Sequence, residues 1–303
     1  GFFGTHIAQE LLARGARLRI ASRRPERAFR IKPLGNLGQV QFARCDVTRR
    51  ESLDPVLAGA DAVVNLPGAF AGNLDALQGR GIGAVAAAAK AAGAAAFVHI
   101  SALGADADAE TDYARTKAEG ETAVLGAFPK ATVLRPSVLF GPDDQFLNLF
   151  AGLIGTLPAL PVFGPEAKMQ PLFVDDAAEA VANALADPAA HGGKTYEIAG
   201  PEPIAMLDLH ERIARAQGRS RLFAPLPDFA SEAFATLTGW LPGAPLTRQQ
   251  WKLLQAGNVL SGKLPGLKAL GITPRPLGLF LDRWMVRYRK HGRFGAATGS
   301  GRA

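Results

Sequence analysis

An α/β fold, a doubly wound parallel sheet with a smaller C-terminal lid domain, is what this sequence predicts, on three observations. Strand-like and helix-like runs alternate through the first two hundred residues, the pattern of a parallel sheet covered on both faces. The chain opens on a glycine turn, Gly1-Phe2-Phe3-Gly4, that runs into helical periodicity over 5–12. Tyr113 and Lys117 stand four apart in a helical segment, and Ser101, twelve residues before Tyr113, closes an apolar run.

In chain order, the opening turn reads as the second half of a Gly-rich dinucleotide loop. Its glycines let backbone approach a pyrophosphate, and the helix behind it presents aligned N–H groups. The first strand and first glycine of such a Rossmann-type unit are expected to lie before Gly1. Residues 16–21 alternate as a strand and lead to Ser22-Arg23-Arg24-Pro25. An NAD(H) site usually places a carboxylate here for the ribose hydroxyl. A hydroxyl and two guanidiniums suit a 2′-phosphate instead, so Ser22 and Arg23 predict NADP(H) preferred over NAD(H), with Arg24 a candidate for a solvated surface residue.

Further strands follow at βαβ spacing. Residues 40–43 lead to Cys45-Asp46-Val47, where Asp46 is a candidate adenine contact and equally a helix cap. Residues 62–64 lead to Asn65-Leu66-Pro67-Gly68, a turn able to pass under a cofactor, in which Asn65 equally stabilises the turn itself. An Ala-rich helix over 83–92 precedes the strand 94–103 that ends at Ser101. The Tyr113 helix follows, and the strand 132–134 then enters Arg135-Pro136-Ser137-Val138. Ligands of such sheets bind at the strands' C-terminal ends. The candidate cofactor-binding residues are therefore Gly1, Phe2, Phe3, Gly4, Ser22, Arg23, Asp46, Val47, Asn65, Leu66, Pro67, Gly68, Tyr113, Lys117, Pro136, Ser137 and Val138.

Ser101, Tyr113 and Lys117 are the candidate catalytic set. Tyr and Lys four apart share one helix face, where an ammonium stabilises a phenolate and is expected to bring its pKa of about 10 toward the working range. With a serine hydroxyl beside them they polarise a carbonyl and relay its proton while a nicotinamide delivers hydride. The Tyr-x-x-x-Lys pattern alone describes many pairs of exposed helix residues; the order of segments around it supplies the specificity.

Taken together, these segments resemble the extended and atypical short-chain dehydrogenase/reductase superfamily. One branch is matched further by His99-Ile100-Ser101-Ala102-Leu103-Gly104-Ala105, Leu134-Arg135-Pro136-Ser137, Phe140-Gly141-Pro142-Asp143-Asp144-Gln145-Phe146, Gln170-Pro171-Leu172-Phe173-Val174-Asp175-Asp176, Pro245-Leu246-Thr247-Arg248-Gln249-Gln250 and Leu264-Pro265-Gly266-Leu267. These are similar to the family of alpha subcomplex subunit 9 of NADH:ubiquinone oxidoreductase (respiratory complex I) and its bacterial relatives. The resemblance implies a bound NADP(H) that supports structure near the quinone-reaction region, with no established turnover in the mitochondrial members. Active relatives carry an Asn on the helix before the serine strand to hold a relay water. The sequence has Gln78 there, which puts catalysis in doubt and leaves binding untouched.

Composition narrows the remaining classes. The chain has 303 residues, 48% of them hydrophobic, ample for one main and one smaller domain. The expected division is 1–141 with a return segment 170–199 for the nucleotide-binding domain, 142–169 and 200–291 for the smaller one, and a disordered tail over 292–303. Within the return, Asp175 and Asp176 invite a functional reading, and helix capping is the expected job of at least one. A single cysteine excludes an internal disulfide framework, and five scattered histidines without metal-ligand spacing predict no metal site. The net charge of +7 is too dispersed for a nucleic-acid footprint.

Charge does gather near the end. Leu277, Phe280, Leu281, Trp284, Met285 and Tyr288 recur at helical spacing among Arg283, Arg287, Arg289 and Lys290. Such a basic amphipathic helix docks on an anionic membrane or on complex I subunits, or packs on its own protein. No signal peptide or membrane span is visible, so the expected location is the cytoplasm or the cytoplasmic face of a bacterial inner membrane, or the mitochondrial matrix in a eukaryote. Three functions compete: a complex I accessory or assembly protein, an active NADP(H)-dependent reductase, epimerase or dehydratase on a small carbonyl, sugar or isoprenoid-like substrate, and a free NADP(H) sensor.

Overall fold

The structure is a computed structural model that describes residues 1–239, 246–290 and 292. Pro245 and, apart from Gly292, the tail 292–303 lie outside the described residues.

The chain begins α1 (Phe2–Ala13), β1 (Leu18–Ser22), β2 (Val40–Arg44), α2 (Asp54–Leu57), β3 (Ala62–Asn65), α3 (Leu74–Gln78), α4 (Gly83–Ala91), β4 (Ala96–Ile100), α5 (Asp112–Ala127) and β5 (Thr132–Pro136). It continues through β6 (Leu139–Phe140), α6 (Phe146–Thr156), β7 (Ala159–Phe163), β8 (Lys168–Met169), β9 (Leu172–Phe173), α7 (Val174–Ala186), α8 (Pro188–His191) and β10 (Thr195–Ile198). Then come β11 (Ile204–Ala205), α9 (Met206–Ala216), β12 (Leu222–Leu226), α10 (Asp228–Thr238), α11 (Arg248–Ala256) and α12 (Gly278–Trp284).

Two compact units result. The first is Gly1–Ser137, Val174–Ala199 and Leu260–Pro274; the second is Val138–Phe173, Gly200–Val259 and Arg275–Ala303. This division differs from the expected one in two places, each with a physical cause. Residues 138–141 and 170–173 belong together in the second unit because β6 pairs with β9, Leu139 opposite Leu172 and Phe140 opposite Phe173. Residues 260–274 belong to the first unit because Glu197 holds them. Its carboxylate accepts from Ser261 N (2.8 Å) and Oγ (2.7 Å), and its N–H donates to Pro265 O (3.0 Å).

In the first unit, β10-β5-β4-β3 form a parallel sheet, and β1 pairs in parallel with β2. All five residues of β4 are buried, as a parallel strand covered on both faces requires. Phe97 packs among Ile82, Val85, Val124 and Phe128 from the α4–α5 side, while α7 lies against β4 and β5 and carries α1. The Ala-rich sequence of α4 has high helix propensity and a thin profile, which suits close packing on α5. Gly120 makes the closest approach: a Cβ there would stand 2.2 Å from Gln78 O. Asp175 and Asp176 both fall inside the first turn of α7 rather than at its cap, where acidic charge favours the helix N-terminus. Asp175 Oδ1 also meets His6 Nδ1 at 2.6 Å, joining α7 to α1.

In the second unit, β7 pairs with β12 and β8 with β11. The Asp144 carboxylate accepts from Gly141 N and Leu147 N (3.2 and 2.6 Å), so the Gly-Pro-Asp-Asp-Gln-Phe stretch is a turn that launches α6. The C-terminal stripe faces its own unit. Leu277, Leu281 and Met285 are buried, and Phe280 stacks on Phe173 and Trp284 with centroids 4.2 and 4.8 Å away. Arg289 Nε donates to Ala216 O (3.0 Å) and Tyr288 Oη to Asn148 Oδ1 (2.9 Å). Of the two expected alternatives, packing on its own unit accounts for Leu277, Leu281 and Met285, while Phe280, Trp284 and Tyr288 stay partly exposed.

Candidate functional site

Three segments of the first unit converge at the start of α1. Gly4 brings the first turn of α1 onto the β3 turn; a Cβ there would lie 3.3 Å from Leu66 Cδ1. Phe2 meets His6 edge to face, at a centroid distance of 5.2 Å. Ser22 closes β1 half-buried, with Arg23 exposed just after it. Arg30 is the residue that sequence reasoning missed: its Nη2 donates to Thr5 Oγ1 (3.0 Å), which puts a further guanidinium beside the opening turn. No local pattern marks it, since it arrives on the 3₁₀ segment Pro25–Leu34.

The Asp46 side chain bonds to Thr48 and caps no helix that follows it. Its Oδ1 accepts from Thr48 N (3.1 Å) and Thr48 Oγ1 (2.7 Å), closing its own turn. These hydrogen bonds, more than the guanidiniums of Arg23 and Arg49, hold its carboxyl below the usual range. Val47 packs against the core beneath β3 and β4.

The turn after β3 faces α5. Lys117 is buried, and its Nζ donates to Pro67 O (3.2 Å) and Ile100 O (3.1 Å). Gly68 leaves room for it, since a Cβ there would come within 3.4 Å of Nζ. Gln78 is wholly buried at the end of α3: Oε1 accepts from Ala69 N (2.9 Å) and Nε2 donates to Thr116 Oγ1 (3.0 Å). Its amide clamps the Pro67–Ala69 backbone to α5, which commits both of its ends. Glu121, one turn beyond Lys117, forms a two-pronged ion pair with Arg135 (2.8 and 2.7 Å) that fastens α5 to β5. Asn65 Nδ2 lies 2.8 Å from His99 Nδ1, both buried.

Ser101 follows β4 directly and is buried, its Oγ without a hydrogen-bond partner in the protein. Tyr113 stands in the first turn of α5, half-buried, with the exposed Phe70 stacked on it at 4.6 Å. The expected lowering of the phenol pKa is reversed. Burial pushes Tyr113 up to about 12 and Lys117 down to about 8, with Glu121 opposing the second shift. The reason is desolvation, which disfavours the charged form of both groups, while Lys117 directs N–H groups into the carbonyls of Pro67 and Ile100.

Past β5, Ser137 N donates to Ile198 O (2.9 Å) and Pro136 O accepts from Leu103 N (3.0 Å). Val138 belongs to the second unit, where its N–H donates to Asn258 Oδ1 (2.6 Å). Among the described residues, no group of three or more His, Cys, Asp or Glu is placed to hold a metal ion.

The residues present fit a dinucleotide. Gly1 caps a twelve-residue helix that takes in Phe2, Phe3 and Gly4 of the expected turn, Arg30 reaches it at Thr5, and a buried amine and an unpartnered serine hydroxyl stand at the strand ends. Comparison with known proteins agrees. The model of the NAD dependent epimerase/dehydratase family matches residues 1–199. The mouse (Mus musculus) mitochondrial NADH dehydrogenase [ubiquinone] 1 alpha subcomplex subunit 9 is 31% identical over 96% of this chain and 79% of its own length. A ceramide reductase of Caulobacter vibrioides is 32% identical over 59% of this chain and 56% of its own. Among solved structures, the triphenylmethane reductase of Citrobacter sp. complexed with NADP(H) superposes with a TM-score of 0.74 at 19% identity, covering 93% of this chain and 96% of that one. It supports the fold.

Proposed function

The chain belongs to the NAD dependent epimerase/dehydratase family, and from that premise we propose that it is an NADP(H)-binding accessory or assembly-type protein of respiratory complex I. The observation that carries the reading is the likeness to the mouse complex I subunit, which runs through 96% of the chain and so includes both units. The site supports it. Gln78 ties the Pro67–Ala69 backbone to α5 through both ends of its amide, which suits a structural role.

In this reading the glycine turn and α1 hold the diphosphate, Ser22 and Arg23 hold the 2′-phosphate, and Tyr113 and Lys117 hold the nicotinamide ribose. NADP(H) is preferred over NAD(H) because Arg23 and Arg24 directly follow β1, with no carboxylate before Glu26. Bound NADPH supplies hydride-donating capacity, and the protein uses the nucleotide chiefly as a structural brace. The proposed location is where complex I is found: the cytoplasmic side of a bacterial inner membrane, or the mitochondrial matrix. Among the described residues no helix is long and apolar enough to cross a membrane.

A tagged full chain expressed in its native source should co-purify with complex I subunits and release NADP(H) rather than NAD(H) on denaturation. A chain that purifies alone, or carries NAD(H), defeats the proposal. The second reading, a working reductase, draws support from the surviving Ser101, Tyr113 and Lys117 set and from the likeness to a ceramide reductase. Tyr113→Phe separates the two. An accessory protein keeps NADPH and complex I activity, whereas an enzyme with a tyrosine general acid loses turnover by roughly 10²–10⁴-fold.

A further inference from the structure

One face of β4 carries a polar pair, Ser101 and a histidine to which the reading above gives no role. Side chains alternate across a strand, so Phe97, His99 and Ser101 share a face. Ser101 keeps the strand's register, because its N–H donates to Leu134 O (2.8 Å). The face is the one α5 covers, since Phe97 packs with Val124 and Phe128 of the α5 side. His99 is completely buried there.

Its Nδ1 lies 2.8 Å from Asn65 Nδ2. A side-chain NH₂ only donates, so Nδ1 accepts and the ring proton is carried on Nε2. That Nε2 is buried without a hydrogen-bond partner in the protein, and so is Ser101 Oγ. Unpartnered buried polar atoms are rare because each forfeits its hydration, and two of them on one strand face, two residues apart, point to a shared third party. Burial, with Lys117 second, drives His99 down to about 3, so the ring stays neutral beside the buried amine. Gln78 makes its bonds elsewhere, to Ala69 and Thr116.

We propose that His99 is a positioning residue of this site: its Nε2–H and Ser101 Oγ together hold one buried water, which fixes the Ser101 hydroxyl for the nucleotide. Asn65 sets the tautomer, the Nε2–H donates to the water, and the water donates to Ser101 Oγ. The serine's own O–H is then directed toward the bound ligand. The inference rests on reading this site as the nicotinamide end of an NADP(H) site and is independent of any association with complex I.

The test uses the full chain with ¹⁵N-labelled histidine. Its five His give resolvable ring signals, and the His99 signal is identified by its loss in His99→Gln. The expected result is a neutral ring protonated on Nε2 throughout the range from about pH 5 to about pH 9. A ring protonated on Nδ1, or one that titrates in that range, overturns the proposal.

Calorimetry with NADPH then compares two substitutions. His99→Gln places an amide donor near the position of Nε2, while His99→Asn keeps only the contact to Asn65. We expect His99→Gln to bind within about threefold of the unaltered protein and His99→Asn about tenfold more weakly, with similar melting temperatures in the absence of nucleotide. Equal binding by the two variants, or losses that track melting temperature, would reduce His99 to a strut and sink the inference. If the unaltered protein binds no NADPH, the nucleotide reading fails by itself, and the ring tautomer still decides whether His99 presents a donor.

Discussion

Lys117 and Tyr113 make stability depend on pH in opposite directions. Burial lowers Lys117 from 10.5 to about 8, so between those values the unfolded chain binds the proton that the folded chain has released. Stability then rises with pH through this window, by on the order of 3 kcal/mol in all. Tyr113 is raised from 10.0 to about 12, so the unfolded chain ionises first and stability falls across that higher window. Lys117→Met, of similar length and without charge, should flatten the lower rise. Urea midpoints taken near pH 7 and pH 10 measure it, and an unchanged slope in the variant would mean the amine is not buried as described. The Tyr-x-x-x-Lys spacing was legible in the sequence because a helix brings residues four apart onto one face. The direction of the phenol's shift was not, because it comes from burial, which only the folded chain imposes on Tyr113.

Helix α5 holds two glycines with contrasting surroundings. A Cβ on Gly120 would stand 2.2 Å from Gln78 O, whereas one on Gly126 would meet nothing within 4 Å. Gly120→Ala should therefore push α5 off the α3 turn and cost about 1–3 kcal/mol. Gly126→Ala should stabilise by roughly 0.5–1 kcal/mol through helix propensity alone. Thermal melts of the two variants check both signs, and a neutral Gly120→Ala would show the contact to be slack. Most elements were visible in the sequence: the alternating runs placed β1 to β5 to within three residues. The C-terminal stripe shows where periodicity stops being informative. Its spacing marked an apolar face, and only Phe173, Phe140 and the α9 surface determine that the face turns inward.

At the scale of the whole chain, the proposed nucleotide site would couple binding to the stability of the first unit, which holds the candidate residues from Gly1 to Ser137. NADPH present at a hundredfold over its Kd should add about 2.7 kcal/mol to that unit's unfolding free energy. Hydrogen exchange of the amides in β3, β4 and β5 reads this directly. No gain in protection there would remove the first unit as the nucleotide site.

The fold class was determined by the sequence, which also marked the glycine opening and the Ser101, Tyr113 and Lys117 set as candidates, because each is written in short-range spacing that a strand or helix converts into one face or one turn. Tertiary structure decided what lies far apart along the chain. It brought Arg30 to the opening turn, enlisted Gln78 as a clamp, closed 260–274 onto Glu197 and left His99 beside Ser101 with an unmet donor. Such pairings have no period in the sequence; they exist because burial must bring every polar group to a partner, and the partner's position is set by the packing of the whole unit.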